Sequence, residues 1–184
     1  MHESILKKET TALVVIDIQE GFRNAIPDFA VIASRAAMAV RGFQMLGVPV
    51  IVTEQYPAGL GVTAEEIRLR LPDNFQALEK TAFSSCGADG FVAKLDELAV
   101  EQVVLCGLET HVCVSQTAHD LLDRGLQVHG LTDCVCSRFE HDKRAGLQKM
   151  KASGVLPTSM EMALFELIRD AKHEQFKQIQ ELIK

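Results

Sequence analysis

The 184-residue sequence lacks the features that mark several classes of protein. No apolar run approaches the ~20 residues that a helix needs to cross a bilayer. Basic residues are not in excess, because 19 Lys and Arg stand against 25 Asp and Glu, for a formal net charge of −6. An acidic chain is poorly suited to neutralising nucleic-acid phosphates or to binding an anionic membrane surface. We therefore predict that neither nucleic acid nor membrane is a partner.

The sequence also lacks a disulfide framework and a secretory signal. Its five cysteines are an odd number without regular spacing, and the opening segment Met1–Lys8 has no apolar core. A reducing, cytoplasmic location is the simpler interpretation. There is no low-complexity linker and no internal repeat, and hydrophobic residues make up 47% of the chain. We predict one domain over residues 1–184.

Apolar, β-branched runs alternate with helical patterns along the chain. The predicted strands are Ala12–Ile16, Val48–Thr53, Phe75–Glu79, Val100–Leu105, Leu126–Leu131 and Val155–Pro157. The predicted helices are a first one from Phe29 that stops at Gly47, then Asp89–Leu98, Cys113–Arg124, Glu140–Ser153 and an amphipathic tail over about 173–184. This alternation predicts an α/β fold with a parallel sheet covered on both faces. The tail helix is expected to dock on the body of the domain or on another subunit.

Cys113 lies where the fourth predicted strand gives way to a helix. A thiol at a helix N-terminus is close to free backbone N–H groups and to the positive end of the macrodipole. Both favour the thiolate, which is the nucleophilic form. We therefore predict that Cys113 is a reactive nucleophile.

Two further polar residues follow predicted strands, Asp17 after the first and Lys80 after the third. In a parallel sheet the carboxyl ends of these strands meet at one edge, together with Cys113. Asp17 could accept the thiol proton, Lys80 could hold Asp17 and Cys113 could attack a substrate. Each residue alone has a simpler explanation, as a turn residue, a solvated lysine or a small buried side chain. The ordered set favours a catalytic site.

The ordered motifs resemble those of the isochorismatase-like cysteine hydrolase superfamily, which includes nicotinamidases and N-carbamoylsarcosine amidohydrolases. They are Asp17-Ile18-Gln19 after the first strand, Lys80 after the third, and Gly107 followed by Cys113 after the fourth. The resemblance extends from about Thr10 to about Ala171. The segments 53–61 and 80–84 further resemble a branch of isochorismatase-domain proteins whose substrates are poorly assigned.

The resemblance implies a three-layer α/β/α, Rossmann-like fold with a six-stranded parallel sheet in the order 3-2-1-4-5-6. It also implies a cis peptide at Leu108–Glu109 and an oxyanion hole formed by the backbone amides of Glu109 and Cys113. The implied reaction is hydrolysis of an amide or carbamoyl C–N bond in a small molecule. Asp17 would act as the base and Cys113 as the nucleophile, with Lys80 orienting Asp17.

The substrate pocket is expected to lie beside Cys113. Phe22, Tyr56 and Phe83 follow strand ends and could form an apolar wall, and His111 is interpreted as a further wall residue. The strand-end motifs add the other expected pocket residues, which are Gln19, Gln55 and Thr110.

Nicotinamidases carry an Asp–His metal site after the second strand. Here the segment Thr53–Gly59 contains no histidine, although neutral imidazoles are the usual ligands of a zinc-type ion. We therefore predict no metal and no cofactor, which makes nicotinamide a poor candidate substrate. The pair Cys134 and Cys136 is interpreted as packing residues, because two thiols without a second pair are weak evidence for a metal.

Two alternatives to the amidase function remain open. Isochorismatases hydrolyse a vinyl ether in a related site, and a protein could keep this fold only to bind a partner. Members of the superfamily often form closed oligomers, so a homo-oligomer is expected. Cys113 favours thioester chemistry among these possibilities.

Overall fold

A parallel sheet of six strands forms the centre of the protein. The computed structural model describes His2 and residues 4–184. The strands are β1 (Thr11–Ile16), β2 (Val50–Gln55), β3 (Leu78–Lys80), β4 (Gln102–Leu108), β5 (Gln127–Cys136) and β6 (Leu156–Thr158). They lie in the order β3-β2-β1-β4-β5-β6 and every neighbouring pair is parallel. The predicted sheet and its strand order are confirmed.

Helices cover both faces of this sheet. They are α1 (Phe29–Met45), α2 (Pro57–Leu60), α3 (Glu65–Arg68), α4 (Phe91–Glu97), α5 (Ser115–Asp123), α6 (Glu140–Ala152), α7 (Met160–Ile168) and α8 (Phe176–Leu182). Alternate residues of β1 belong to two separate hydrophobic clusters, with Leu13 and Val15 in one and Val14 and Ile16 in the other. Because side chains alternate across a strand, both faces of the sheet are buried. Within the described residues, no helix is both long and apolar enough to cross a membrane.

Strand β5 extends five residues beyond its predicted end. The apolar pattern predicts an end at Leu131, but the strand continues through Asp133 to Cys136. The carboxylate of Asp133 is tolerated because Oδ1 accepts a hydrogen bond from the backbone N–H of Met160 (3.0 Å) and Oδ2 pairs with Arg35 (3.1 Å). These partners lie far away in the sequence, so the local pattern did not reveal the longer strand.

Helix α7 was not predicted. Its sequence is apolar around most of its circumference, so it has no clear amphipathic period. The Ser159 side chain caps its first turn by accepting a hydrogen bond from the N–H of Met162 (3.2 Å). The tail helix α8 packs within the same chain, where Ile179 is buried and Leu182 lies beside Gly42 of α1.

The carboxyl ends of β1, β3 and β4 lie at the same edge of the sheet. Ile16 of β1 is in register with Thr53 of β2 and Gly107 of β4, and Gln55 of β2 is in register with Lys80. The chain order reverses between β1 and β4, which is where ligands bind in open α/β sheets. The polar residues that follow these strands therefore meet at the switch point.

Candidate active site

Asp17 directly follows β1 and lies in the left-handed region, with φ of 52°. Its side chain is fully buried and both carboxylate oxygens have partners. Oδ1 accepts a hydrogen bond from Thr53 Oγ1 at 2.7 Å, and Oδ2 pairs with Lys80 Nζ at 2.6 Å. These two contacts fix the carboxylate at the carboxyl edge of the sheet.

Lys80 ends β3, and its side chain is as deeply buried as that of Asp17. Besides the Asp17 carboxylate, the ammonium has three uncharged acceptors. They are Gln55 Oε1 at 2.8 Å, the carbonyl of Phe83 at 2.9 Å and the carbonyl of Ala82 at 3.2 Å. A buried charge needs such partners because burial removes its hydration. The turn after β3 therefore curls around the ammonium.

Cys113 lies in a π-helical turn, Thr110–Val114, that precedes α5. Two glycines let other segments approach this region closely. Gly107 has a φ of 137°, and a Cβ at this position would overlap the carbonyl oxygen of Ile16. The missing side chain therefore lets the end of β4 pack closely against β1. A Cβ at Gly146 of α6 would lie 2.9 Å from the Cα of His111. Backbone packing from two sides thus positions the turn that carries the thiol.

The protonation state of Cys113 differs from the expectation of a stabilised thiolate. Burial, followed by the nearby Asp17 carboxylate, raises the pKa of the thiol to about 12, because Asp17 raises this pKa more than Lys80 lowers it. Burial also raises the pKa of Asp17, against the opposing attraction of Lys80. The expected helix-terminus effect is outweighed because the thiol is enclosed and faces an acidic group. The resting Cys113 is therefore a neutral thiol beside a carboxylate of enhanced basicity.

A cleft of about 320 Å³ opens above Cys113. Its apolar lining consists of Gly21, Phe22, Ala25, Leu60, Phe83 and Val112. Its polar lining consists of Gln55, Glu109 and Arg138. The side chains of Asp17 and Lys80 are not exposed in it, so Cys113 is the member of the expected triad that a ligand would meet first. The cleft has the size and largely apolar character of a small-molecule site.

Three of the seven expected pocket residues line this cleft, namely Phe22, Gln55 and Phe83. The other four lie outside it, for identifiable reasons. Gln19 is buried beneath the cleft, where its side chain bonds the backbone of Gln55 and Gly61.

Tyr56 is 58% exposed and lines a neighbouring cleft of about 450 Å³. Lys80 also lines that cleft, although the Lys80 side chain is buried. Thr110 is buried inside the turn. His111 points away, with Nδ1 3.0 Å from Ser137 Oγ and Nε2 3.9 Å from Asp142. Turn geometry, which the sequence pattern does not contain, decides these directions.

The structure has a cis peptide bond between Leu108 and Glu109. The Glu109 side chain was not among the features expected from the sequence, which concerned only its backbone amide. Its Oε1 accepts hydrogen bonds from the backbone N–H and the Nε of Arg138, at 3.0 and 3.1 Å. Arg138 lines the cleft but was not predicted as a pocket residue, although its position just after a strand at the functional edge was an available signal.

The end of β2 does not fit the metal ion that nicotinamidases hold in this region. Glu54 Oε1 already accepts hydrogen bonds from the N–H and the hydroxyl of Thr63, both at 2.6 Å. The Gln55 side chain is engaged by Lys80. In the part of the chain that the structure describes, no three His, Cys, Asp or Glu side chains cluster as metal ligands would.

Comparison with known proteins gives consistent matches over nearly the whole chain. The profile of the isochorismatase domain matches residues 11–162. Isochorismatase domain-containing protein 2B of Mus musculus is 40% identical over 177 residues, which cover 96% of this chain and 82% of the mouse protein.

Solved structures agree with this match. The MAR1 ribonuclease from Caenorhabditis elegans has a TM-score of 0.88 at 37% identity, covering 97% of this chain and 92% of that one. The ycaC gene product from Escherichia coli, an octameric hydrolase of unknown specificity, shares the fold with a TM-score of 0.83 at 19% identity, covering 100% and 96% of the two chains. With its sheet order, its strand-end residues and a profile match over most of its length, the chain belongs to the isochorismatase family.

Proposed function

We propose that the protein is a cysteine hydrolase that cleaves an amide or carbamoyl C–N bond of a small molecule. The family fold supports a hydrolase. The observation that carries the finer proposal is the convergence of Asp17, Lys80 and Cys113 at the base of one cleft. A thiol, a carboxylate that can take its proton and a cation that holds this carboxylate are the groups that nucleophilic catalysis needs.

The first half of the proposed reaction forms a thioester. Asp17 accepts the Sγ proton of Cys113 as the sulfur attacks the carbonyl carbon, so no free thiolate has to accumulate in the resting enzyme. The backbone N–H groups of Glu109 and Cys113 stabilise the oxyanion. The C–N bond then breaks, and the leaving amine or ammonia takes the proton from Asp17.

The second half of the reaction restores the thiol. Asp17 removes a proton from water as the water oxygen attacks the thioester carbon. The C–S bond breaks, the acid is released and the proton returns from Asp17 to the Cys113 sulfur. Lys80 stays charged throughout and holds the Asp17 carboxylate in place through the contact at 2.6 Å. No cofactor takes part in this sequence.

Three other functions compete with this proposal. A vinyl ether could be hydrolysed at the same place without a thioester, and the fold could serve only to bind a partner. The similarity to a protein called a ribonuclease raises RNA cleavage as the third. The net charge of −6 and a largely apolar cleft whose lining contains one arginine and one glutamate disfavour RNA as substrate.

The proposal is tested by screening amides, carbamoyl compounds, a vinyl ether and a labelled RNA against the wild type and Cys113→Ala. We expect release of ammonia or amine from at least one amide or carbamoyl compound. Activity should fall at least about 1,000-fold in Cys113→Ala, because the nucleophile is removed. Mass spectrometry of the quenched wild-type enzyme should detect an acyl adduct on Cys113.

Cys136→Ala is the matched control, since Cys136 is also a free cysteine, is more exposed than Cys113 and lies outside the cleft. It should keep full activity. Equal turnover by the wild type and Cys113→Ala would refute the thioester mechanism. Turnover of the vinyl ether or the RNA alone would favour the corresponding alternative.

We also propose that the protein forms a closed homo-oligomer in solution. The octameric E. coli relative supports this by fold alone. The tail helix α8 does not support an interface between subunits, because it packs on its own chain. Light scattering coupled to gel filtration measures the mass in solution. A measured mass of 20.3 kDa, that of one chain, would refute the proposal.

A further inference from the structure

Three buried hydroxyl groups connect the Asp17 carboxylate to the helix that follows Cys113. They belong to Thr53, Ser85 and Thr117, and none of these residues has exposed surface. A buried hydroxyl costs free energy unless it is hydrogen-bonded, and an apolar side chain of similar size would fill the same space without that cost. The proposed mechanism gives roles to Asp17 and Cys113 but none to this hydroxyl row.

The members of the hydroxyl row come from different parts of the chain. Thr53 lies on β2, Ser85 begins a 3-10 turn after β3, and Thr117 lies in α5. Thr117 follows Cys113 by about one helical turn. The row therefore reaches from the proposed base to the helix that directly follows the proposed nucleophile.

The contacts along the hydroxyl row are shortest at its two ends. The backbone N–H of Ser85 donates to Thr117 Oγ1 at 2.8 Å, and the Thr117 hydroxyl donates to Ser85 Oγ at 3.3 Å. Ser85 Oγ lies 3.5 Å from Thr53 Oγ1, which is the longest contact of the row. The Thr53 hydroxyl donates to Asp17 Oδ1 at 2.7 Å. Thr53 is thus the member of the row that contacts the carboxylate.

The direction of the hydroxyl protons follows from the charge on Asp17. An ionised carboxylate only accepts hydrogen bonds, so Thr53 gives its one hydroxyl proton to Asp17. Ser85 is then the donor to Thr53, and Thr117 is the donor to Ser85. All three hydroxyl dipoles therefore point toward the carboxylate, and hydrogen-bonded groups in a row polarise one another. Donors aligned in this way favour the charged form of Asp17 over its neutral form.

This alignment opposes the effect of burial on Asp17. Burial raises the pKa of the carboxyl, whereas Lys80, the Thr53 hydroxyl and the Cys113 thiol lower it. In the described part of the chain, the titratable groups that face Asp17 are Lys80 from β3 and Cys113 from the turn before α5. Lys80 pairs with Oδ2, whereas Oδ1 accepts the uncharged Thr53 hydroxyl. The hydroxyl row thus supports the oxygen that the ammonium does not pair with.

We propose that the three members of the hydroxyl row are positioning residues that act through Asp17. They keep it in the charged form that can accept the Cys113 proton. Thr53 contributes most, because it contacts the carboxylate directly. Ser85 acts by aligning the Thr53 hydroxyl, and Thr117 acts by aligning that of Ser85. The use of the charged form in catalysis rests on the proposed function.

Infrared spectroscopy measures the protonation of Asp17 without requiring a substrate. The C=O band of the neutral carboxyl appears as the pH falls, and its absence from Asp17→Asn identifies the band of this residue. In Thr53→Val the midpoint of the band should move to higher pH by about one to two units, the size expected when a hydrogen bond to a charged group is lost. Thr53→Ser keeps a hydroxyl and should restore most of the wild-type midpoint.

Variants further along the row test whether the hydroxyls act together. Ser85→Ala and Thr117→Val should each move the midpoint in the same direction but by less, with the smaller change in Thr117→Val. Ser85→Ala also provides the test if the valine variant at position 53 does not fold. Thr63→Val is the matched control, because Thr63 is also buried and its hydroxyl donates to a different carboxylate, Glu54, at 2.6 Å. It should leave the Asp17 midpoint unchanged.

Three results would overturn the proposal. They are an unchanged midpoint in Thr53→Val, an equal shift in Thr63→Val, and wild-type midpoints in both Ser85→Ala and Thr117→Val.

The pH dependence of turnover separates this proposal from the proposed function. With an amide substrate, the acid limb of kcat/KM should move together with the infrared midpoint. A midpoint that shifts in Thr53→Val without any turnover by the wild type would refute the hydrolase and keep the positioning role. Turnover by the wild type with an unchanged midpoint in Thr53→Val would do the reverse.

Discussion

Two ion pairs lie close to Cys113, one buried beneath the cleft and one in its lining, and they differ in exposure and in their partners. Asp17 and Lys80 are 2.6 Å apart and their side chains have no exposed surface. Arg138 and Glu109 are 3.1 Å apart, with the arginine 53% and the glutamate 9% exposed. The first pair is saturated by protein partners, whereas no acceptor among the described residues contacts the Nη groups of Arg138.

This difference separates two tasks that a single site has to perform. A buried, saturated pair holds one geometry because any movement would leave a charge without a partner. A pair whose cation is half exposed contributes less to stability, because water competes for that cation. The inner pair is thus suited to positioning a reacting group, whereas the cation of the outer pair can exchange its partners with water.

Removing one partner of the inner pair should have the largest effect. We expect Lys80→Met to lower the free energy of unfolding by about 3–5 kcal/mol at pH 8, because it leaves the Asp17 carboxylate buried without its cation. The loss should be smaller at pH 5. Burial already raises the pKa of Asp17, and removal of the ammonium raises it further, so the carboxyl is neutralised there. Chemical denaturation at the two pH values measures both effects.

Lys94→Met is the matched control for this measurement, because Lys94 pairs with Glu97 at 3.0 Å on the surface. It should change the free energy of unfolding by less than about 1 kcal/mol. The double variant Asp17→Asn with Lys80→Met should recover much of the loss, since neither buried charge then remains. A loss in Lys80→Met no greater than that in Lys94→Met would refute the contrast between the two pairs.

Neutralising Asp17 should have an intermediate effect. It separates the influence of Asp17 on the acidity of the Cys113 thiol from its role as the catalytic base. The Asp17 carboxylate raises the pKa of Cys113 and Lys80 lowers it, so Asp17→Asn should lower that pKa and increase the thiolate fraction at pH 8. Alkylation of Cys113 by iodoacetamide should then become about 10-fold faster, which corresponds to a pKa change of about one unit. Hydrolysis should be lost in the same variant, because the base is gone.

Cys86 is the internal reference for this experiment. Burial also raises its pKa, but Asp17 does not contribute to the shift. Its alkylation rate should be the same in both proteins, as followed by mass spectrometry. Unchanged or slower alkylation of Cys113 in Asp17→Asn would show that the carboxylate does not suppress the thiolate.

Breaking the outer pair should have the smallest effect on folding. We expect Arg138→Gln to change the free energy of unfolding by less than about 1 kcal/mol, because the arginine is half exposed. The backbone N–H of residue 138 can still donate to Glu109 Oε1, so the segment should keep its path. Thermal or chemical denaturation of the unliganded protein measures this. A loss of several kcal/mol would make Arg138 a structural residue.

The sequence predicts the sheet well because its strands are buried on both faces. Near-continuous apolar runs such as Val103–Leu105 can be recognised without knowledge of their neighbours. The end of β5 could not be predicted in the same way. A carboxylate such as Asp133 signals a turn unless distant groups satisfy it, and the N–H of Met160 and the Arg35 side chain become visible only in three dimensions.

The convergence of Asp17, Lys80 and Cys113 follows from their positions at the ends of parallel strands, which is sequence information. The ionisation of Cys113 and the identity of the cleft wall do not follow from it. The first depends on how closely α6 and the neighbouring loops enclose the thiol. The identity of the cleft wall depends on the direction of side chains in turns. The His111 side chain points away from the cleft, whereas Arg138 lines it.

The four acceptors around Lys80 Nζ act as a hydration shell made of protein. Two of them are main-chain carbonyls, those of Ala82 and Phe83, which any residue at those positions would supply. The identity of the side chains in this turn can therefore vary while its length and path cannot, since a deletion would leave the ammonium partly unsolvated. Phe83 has two separate roles, because its backbone carbonyl binds the lysine while its side chain lines the cleft. Substrate preference can accordingly diverge at this residue without disturbing the charged groups beneath it.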